Sequence, residues 1–357
     1  MTNSFVQTPN PLQANDLQSG DRLAVATSPN PTPSSASPKL PRISIVVPNY
    51  QGGATIGQTL QSLVDQNYPD LEIIVVDGGS TDHSVEVIQQ FAEQITWWVS
   101  EPDRGQSHAI NKGFSHCTGD IVNWLCSDDL LAPGALMTIG QQFAEFPEID
   151  VLVGCCRIEY LTTDNTVEPL KETSFWISQL QRFIPLGTLQ RSPTDDRAYI
   201  RSTTLEQIQL MPASVPIYQP ACFYRRSLIN RSNPVDERYV YTMDIELFNY
   251  FHAQGVSWKT IPDVLCIAII SGQNKSSVAG VKATYELEQI YTTYAQEKIP
   301  LTYWHRKLRY PLERFLKLQK GSLWVYLVGP LWIVITLLLA PFYGLKRSFA
   351  LRWTAWV

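Results

Sequence analysis

Between residues 42 and 126 the chain alternates short apolar runs with longer amphipathic stretches. The runs are ISIVVP (43–48), LEIIVVD (71–77), ITWWVSE (95–101) and DIVNWLC (120–126). Near-continuous Val and Ile, without a polar residue at every second position, marks strands covered on both faces, as a parallel sheet requires. The pieces between and after them, 54–66, 81–93, 105–116 and 133–145, are long enough for crossover helices. Ser80 or Asp82 is placed to cap the second helix, and Pro133 fits the first turn of the fourth. The pattern predicts an α/β doubly wound sheet, an architecture that takes ligands at the carboxyl ends of its strands.

The pattern changes on either side. Residues 1–40 are rich in Pro, Ser, Thr, Asn and Gln and hold too little apolar surface to offset ordering entropy, so a disordered leader is expected. Residues 157–218 show no clear period. Helices are expected over 281–297 and 303–320, a helical extension spanning 281–320. Residues 321–345 then carry no charge, and 346–357 form a basic tail. Twenty-five apolar residues reach about 37 Å as a helix, enough for a bilayer core of about 30 Å. Pro330 and Pro341 interrupt the segment, and its aromatic residues are spread along it. A bilayer span, an interfacial helical hairpin and a buried core helix are all open readings.

Composition sharpens this layout. Of 357 residues, 44% are hydrophobic and 17% charged, values typical of globular enzymes, not of disordered chains. The formal net charge of −5 divides unevenly: residues 301–357 carry nine Lys or Arg against Glu313 alone, hence +8, leaving −13 for residues 1–300. The basic flank Arg306–Lys320 would remain cytoplasmic beside a span, or attract anionic lipid beside a flat helix. Either way the body is expected at the cytoplasmic face of the cell membrane. Nucleic acid is not an expected partner. The six Cys form no CxxC pair and the five His are scattered, which argues against zinc and for a reducing compartment.

Candidate chemistry gathers where the strands end. The first strand is followed by Pro48-Asn49-Tyr50-Gln51-Gly52-Gly53 and the second closes on Asp77 before Gly78-Gly79-Ser80. Beyond the third lies Glu101-Pro102-Asp103-Arg104-Gly105-Gln106, and beyond the fourth Ser127-Asp128-Asp129. Adjacent carboxylates repel unless a cation or strong donors sit beside them. Asp128 and Asp129 therefore either hold a divalent ion or cap the helix near Pro133.

These stretches, ISIVVPNYQGG, LEIIVVDGGSTDHS, SEPDRGQSHAINKGF and GDIVNWLCSDDLLAPGAL, resemble the family 2 glycosyltransferases over residues 42–140, and QPACFYRRSLI with YVYTMDIELFNYF extends the resemblance to about residue 275. The resemblance implies a GT-A fold: a Rossmann-like, mainly parallel sheet flanked by helices, with a nucleotide-sugar half (42–140) and an acceptor half (141–275) inside a 41–275 domain. PNYQGG in place of GxGxxG sets it apart from Rossmann dehydrogenases. It implies that Pro48 and Tyr50 pack on the donor base and that Asp77 accepts hydrogen bonds from base or ribose, unless Asp77 only shapes a turn. Arg104 and Lys112 are placed to meet the diphosphate, although Lys112 suits a solvated helix end equally well. Asp128, with Asp129, corresponds to a DxD-type element binding Mg²⁺ or Mn²⁺. Cys126 stands at its usual first acid, Ile110 at a frequent arginine and His108 at a frequent acid.

The implied reaction is inverting transfer of a sugar from a nucleotide diphosphate donor to a glycan or lipid-linked acceptor. It needs a base for the acceptor hydroxyl. Asp244 and Glu246 are the candidates, and residues two apart do not share a helix face, so one of them, Asp244 by the family pattern, points inward. The alternative is that both serve only the helix N-terminus. Arg225 and Arg226 face either ligand or solvent, and Lys275 in SGQNKSS resembles the cation of a late loop over the phosphates. A non-catalytic nucleotide-sugar-binding module and a nucleotidyltransferase are the rival functions.

Overall fold

The computed structural model describes residues 39–160, 189–191, 198–209, 211, 217–270, 275, 280–295, 301–304, 307–308, 311, 328–344 and 348. The 1–38 part of the expected leader, most of the 157–218 region and the 346–357 tail except Ser348 lie outside the described residues.

The expected alternation forms the first half of a ten-stranded sheet. Strands β1 (Ile43–Asn49), β2 (Leu71–Asp77), β3 (Trp97–Ser100) and β4 (Ile121–Trp124) are parallel and lie in the order β3-β2-β1-β4. Helices α1 (Ile56–Val64), α2 (Ser84–Gln90), α3 (Gln106–His116) and α4 (Ala135–Glu145) follow their strands as expected. Every residue of β1 is buried, with Ile43, Ile45 and Val47 in one apolar core and Val46 in the other, on the opposite face. That two-sided burial is the reason the strand sequence does not alternate.

Beyond β4 the sheet becomes mixed. Strand β5 (Asp129–Leu131) is antiparallel to β10 (Trp258–Ile270), β6 (Val151–Tyr160) is parallel to β10, and β9 (Cys222–Arg225) is antiparallel to both β4 and β6. Two short strands, β7 (Leu189–Arg191) and β8 (Ala198–Arg201), extend it from β6. Helix α5 (Met243–Ala253) packs on this half together with α6 (Gly280–Ala295). In α7 (Val328–Tyr343), Ile335 and Leu339 join the second core, whereas Val334, Leu337, Leu338 and Phe342 are exposed. Sixteen residues span about 24 Å, and no described helix is long and apolar enough to cross a membrane.

At the amino ends of the strands a buried carboxylate ties the sheet together. Register pairs Ser44 with Glu72 and with Val122. The Glu72 carboxylate accepts from Ser44 Oγ, Thr118 Oγ1, Thr118 N (2.8 Å), Gly119 N (3.1 Å) and Arg42 (3.3 Å). Burial alone would raise its pKa, but the bonds from Ser44, Thr118 and Gly119 outweigh burial and hold it below the ordinary value. A depressed folded pKa contributes stability above the unfolded pKa that is lost as pH falls through the folded one. Glu72→Leu is therefore expected to lose about 3 kcal/mol at pH 7, since buried donors are left unpaired, and less below about pH 4. Urea unfolding at the two pH values checks this; equal losses would rule out the linkage.

Candidate active site

Parallel register brings the carboxyl ends of four strands to one rim. Asn49 lies beside Asp77, and Asp77 beside Ser100. That row explains the state of Asp77: its carboxylate accepts from Asn49 Nδ2 (2.7 Å), Ser80 Oγ (2.5 Å), Ser80 N (2.9 Å) and Ser100 Oγ (2.6 Å), and the residue is fully buried. Burial raises its pKa, and the bonds from Ser100, Ser80 and Asn49 more than reverse that, so it is held ionised. Asp77 thus sits beneath the rim, bracing the loops above it. Asp82 links two of those loops, accepting from Gly53 N (2.8 Å) as well as from Ser84 at the start of α2.

Above this row opens a cleft of about 1040 Å³. Pro48 and Tyr50 form one wall, and Tyr50 is 68% exposed, an aromatic face without a cover. The backbone must run close beneath it. A Cβ on Gly52 would lie 2.2 Å from Asn49 Oδ1 and 2.9 Å from Ser127 Oγ, and one on Gly78 would lie 2.9 Å from Asp103 Oδ2 and 3.3 Å from Tyr50 Cδ2. The glycines of both loops therefore set the shape of the cleft.

Cys126, Asp128 and Asp129 line the same cleft, with one ligand atom from each lying within 4.8 Å of the others. Asp129 belongs to β5, and α4 begins at Ala135 behind Gly134 without a side-chain cap, so neither acid caps that helix. Pro133 precedes the helix instead of occupying its first turn. Desolvation and then repulsion from Asp128 raise the Asp129 pKa well above the ordinary range. Two carboxylates with a sulfur beside them form a donor set that fits a divalent cation, the oxygens suiting Mg²⁺ or Mn²⁺.

Asp244 and Met243 from the start of α5, Tyr241 just ahead of it, and Lys275 line the same cleft. Desolvation pushes the Asp244 carboxyl up to about 6, opposed by the backbone amides of Ile245 and Asp244 and by the Lys275 and Arg201 charges. Lys275 Nζ donates to Gln106 Oε1 (2.9 Å), and Gln106 Nε2 donates to Cys126 Sγ (3.1 Å), so Gln106 joins Lys275 to Cys126. Desolvation lowers the Lys275 pKa.

Other candidates point elsewhere. Glu246 is buried against Arg231 and accepts from Tyr294 OH (2.6 Å), on a different side of α5 from Asp244. Arg104 is 68% exposed and paired with Glu237, and Lys112 pairs with Glu101; none of the three lines the cleft. Arg225 and Arg226 donate to backbone carbonyls, Arg225 to Ile149 and Pro147 and Arg226 to Gly119, and are not part of the cleft either. Ile110 is fully buried in the second core. Sequence reasoning put Gln106 at the rim without a role and missed Gln219; both are in the cleft lining. The QPA turn before β9 was the available signal for Gln219, whose amide donates to Asn123 Oδ1 and Trp124 O, each at 2.8 Å.

The model of glycosyl transferase family 2 matches residues 44–231, more than half of the chain, covering both the Tyr50 wall and the acidic pair. The chain belongs to glycosyl transferase family 2. Among curated relatives of this family 2 glycosyltransferase is an uncharacterized glycosyltransferase of Nostoc sp., 27% identical over 56% of the chain and 64% of the relative. Another is the GalNAc(5)-diNAcBac-PP-undecaprenol beta-1,3-glucosyltransferase of Campylobacter jejuni, 30% identical over 30% of the chain and 36% of the relative. The chain thus spans less than two thirds of either. The fold matches the mannosyltransferase PcManGT of Pyrobaculum calidifontis, solved with GDP-Man and Mn²⁺ (TM-score 0.52, 19% identity, 90% of this chain and 82% of that one). It also matches residues 1–349 of TarS from S. aureus (TM-score 0.50, 15% identity, 87% and 89%). These matches establish the GT-A fold.

Proposed function

We propose that this family 2 glycosyltransferase moves one sugar from a nucleotide diphosphate donor to an acceptor hydroxyl with inversion at the anomeric carbon. The observation that carries the reading is the convergence, on one cleft, of an uncovered aromatic, a carboxylate pair and a separate raised-pKa carboxylate. Tyr50 and Pro48 stack on the base, with Asp77 bracing that platform. Asp128 and Asp129 hold Mg²⁺ or Mn²⁺, which when bound neutralises charge on the departing nucleoside diphosphate. Lys275 supplies a second cation in the cleft. Asp244, at the start of α5, takes the proton from the acceptor hydroxyl as that oxygen attacks from the face opposite the leaving group. Support for the donor class and the ion comes from the Pyrobaculum neighbour's GDP-Man and Mn²⁺.

The experiment is incubation with a panel of nucleotide sugars and either ion, followed by product analysis. Release of nucleoside diphosphate with a glycosylated acceptor supports transfer. Pyrophosphate release would identify a nucleotidyltransferase, and donor binding without turnover a binding module.

The proposed acceptor is a lipid-linked or cell-surface glycan, a reading supported by the undecaprenol-linked substrate in the Campylobacter relative's name and by the tail. Val334, Leu337, Leu338 and Phe342 lie exposed on α7, in a 301–357 region with a net +8. An apolar helix face within a cationic region suits interfacial seating on an anionic membrane, which supports a location at the cytoplasmic face. Leu338→Asp together with Phe342→Asp is expected to weaken sedimentation with phosphatidylglycerol vesicles by about tenfold or more, the scale of two lost apolar side chains. Unchanged sedimentation would remove α7 from the contact.

A further inference from the structure

We propose that Glu286 is a positioning residue that fixes Asp244 through the backbone of residues 240–242, an inference that rests on the transferase reading above. Helix α5 begins after Thr242, whose side chain provides no cap. Another helix holds the turn that leads into it and the amide of its N-cap residue: the Glu286 carboxylate on α6 accepts from Val240 N (3.0 Å), Tyr241 N (2.9 Å), Thr242 N (3.0 Å) and Thr242 Oγ1 (2.9 Å), while the amides of Asp244 and Ile245 bond to the Asp244 carboxylate itself.

The first amides of a helix have no partner within it, and its dipole favours negative charge there. Hydrogen bonds to an ionised acceptor are the stronger class, and four of them converge on one side chain here. They immobilise three consecutive residues. Tyr241 from that clamped segment lines the cleft, and Met243 and Asp244 follow at once. Glu286 itself does not line the cleft and lies beyond the residues matched by the family model. Its charge also favours the charged form of Lys275. The clamp therefore acts at a distance, setting where the Asp244 carboxylate stands relative to an acceptor oxygen.

Glu286→Gln keeps the shape but turns an amide NH₂ toward backbone donors. It is expected to lower kcat by about tenfold or more while the donor KM stays within about twofold, because a misplaced base impairs the chemical step without disturbing the Tyr50 wall. Amide hydrogen exchange at Val240, Tyr241 and Thr242 should accelerate at least about tenfold, with Leu247–Phe251 in the body of α5 unchanged. Thr242→Val, which removes the hydroxyl bond alone, should lower kcat about two- to fivefold and serves if Glu286→Gln folds poorly. Unchanged exchange at 240–242 overturns the proposal. So does a kcat within twofold of the parent, or a loss of protection throughout α5 accompanied by parallel changes in kcat and KM. If the parent itself transfers no sugar, the reaction assignment fails, and the exchange measurement still decides whether the clamp exists.

Discussion

Asp244→Asn is expected to lower kcat for sugar transfer by about 10²- to 10⁴-fold, the range over which a positioned general base acts. The amide matches the carboxylate in shape and cannot take a proton. Desolvation holds the Asp244 pKa at about 6, so the parent enzyme should lose kcat/KM as pH falls through that value, because the ionised form is the active one. Desolvation sets the limb, and the Ile245 and Asp244 amides, then the Lys275 and Arg201 charges, favour the ionised carboxylate and keep the value from rising further. In the variant the limb near pH 6 should vanish. The thermal midpoint should stay level or rise at pH 7, since a carboxyl with a raised folded pKa disfavours folding when ionised. A steady-state pH profile with a melting curve checks this, and a persisting limb near pH 6 would assign the base elsewhere.

Asp128→Ala is expected to cut ion-supported turnover by about 10²- to 10⁴-fold, equivalent to several kcal/mol of charge stabilisation. Asp129 and Cys126, whose charged forms burial disfavours even without Asp128 beside them, are poor substitutes. Mn²⁺ binding followed by electron paramagnetic resonance should weaken in parallel. Chelation should reduce the parent to the level of the variant and leave the variant unchanged. Full ion-supported activity in Asp128→Ala would remove this carboxylate from the site.

The parallel half of the sheet was legible because strands covered on both faces cannot alternate apolar with polar, and β1, β2 and β4 are dominated by Ile, Val, Leu and Trp, with polar residues only at Ser44, Asn49, Glu72, Asp77 and Asn123. Strands β5 and β10 were not. The former is three residues long, and the latter carries Pro262 and Asp263 within a register shift against β6, which blurs its pattern. For the site, sequence indicated which residues reach the rim but not where their side chains turn. Pro48, Tyr50, Asp128, Asp129, Asp244 and Lys275 converge on the cleft. Arg104 and Lys112 are engaged by nearby acids, Glu237 and Glu101, that no local spacing announces. The different directions of Asp244 and Glu246 follow from helix geometry, which sequence does contain. Glu286 had no signal, because a glutamate within an ordinary helix looks like surface.

Strand β10 places Ala268 opposite Asp129 and, five residues after its last residue Ile270, the chain supplies Lys275. Its antiparallel register with β5 fixes where the backbone of Asp129 stands relative to the rest of the sheet. A one-residue insertion ahead of Ala268 would slide that register by about 3.3 Å and turn the faces of the strand over, so donors of a different reach would have to be accommodated in the loops and not in this strand.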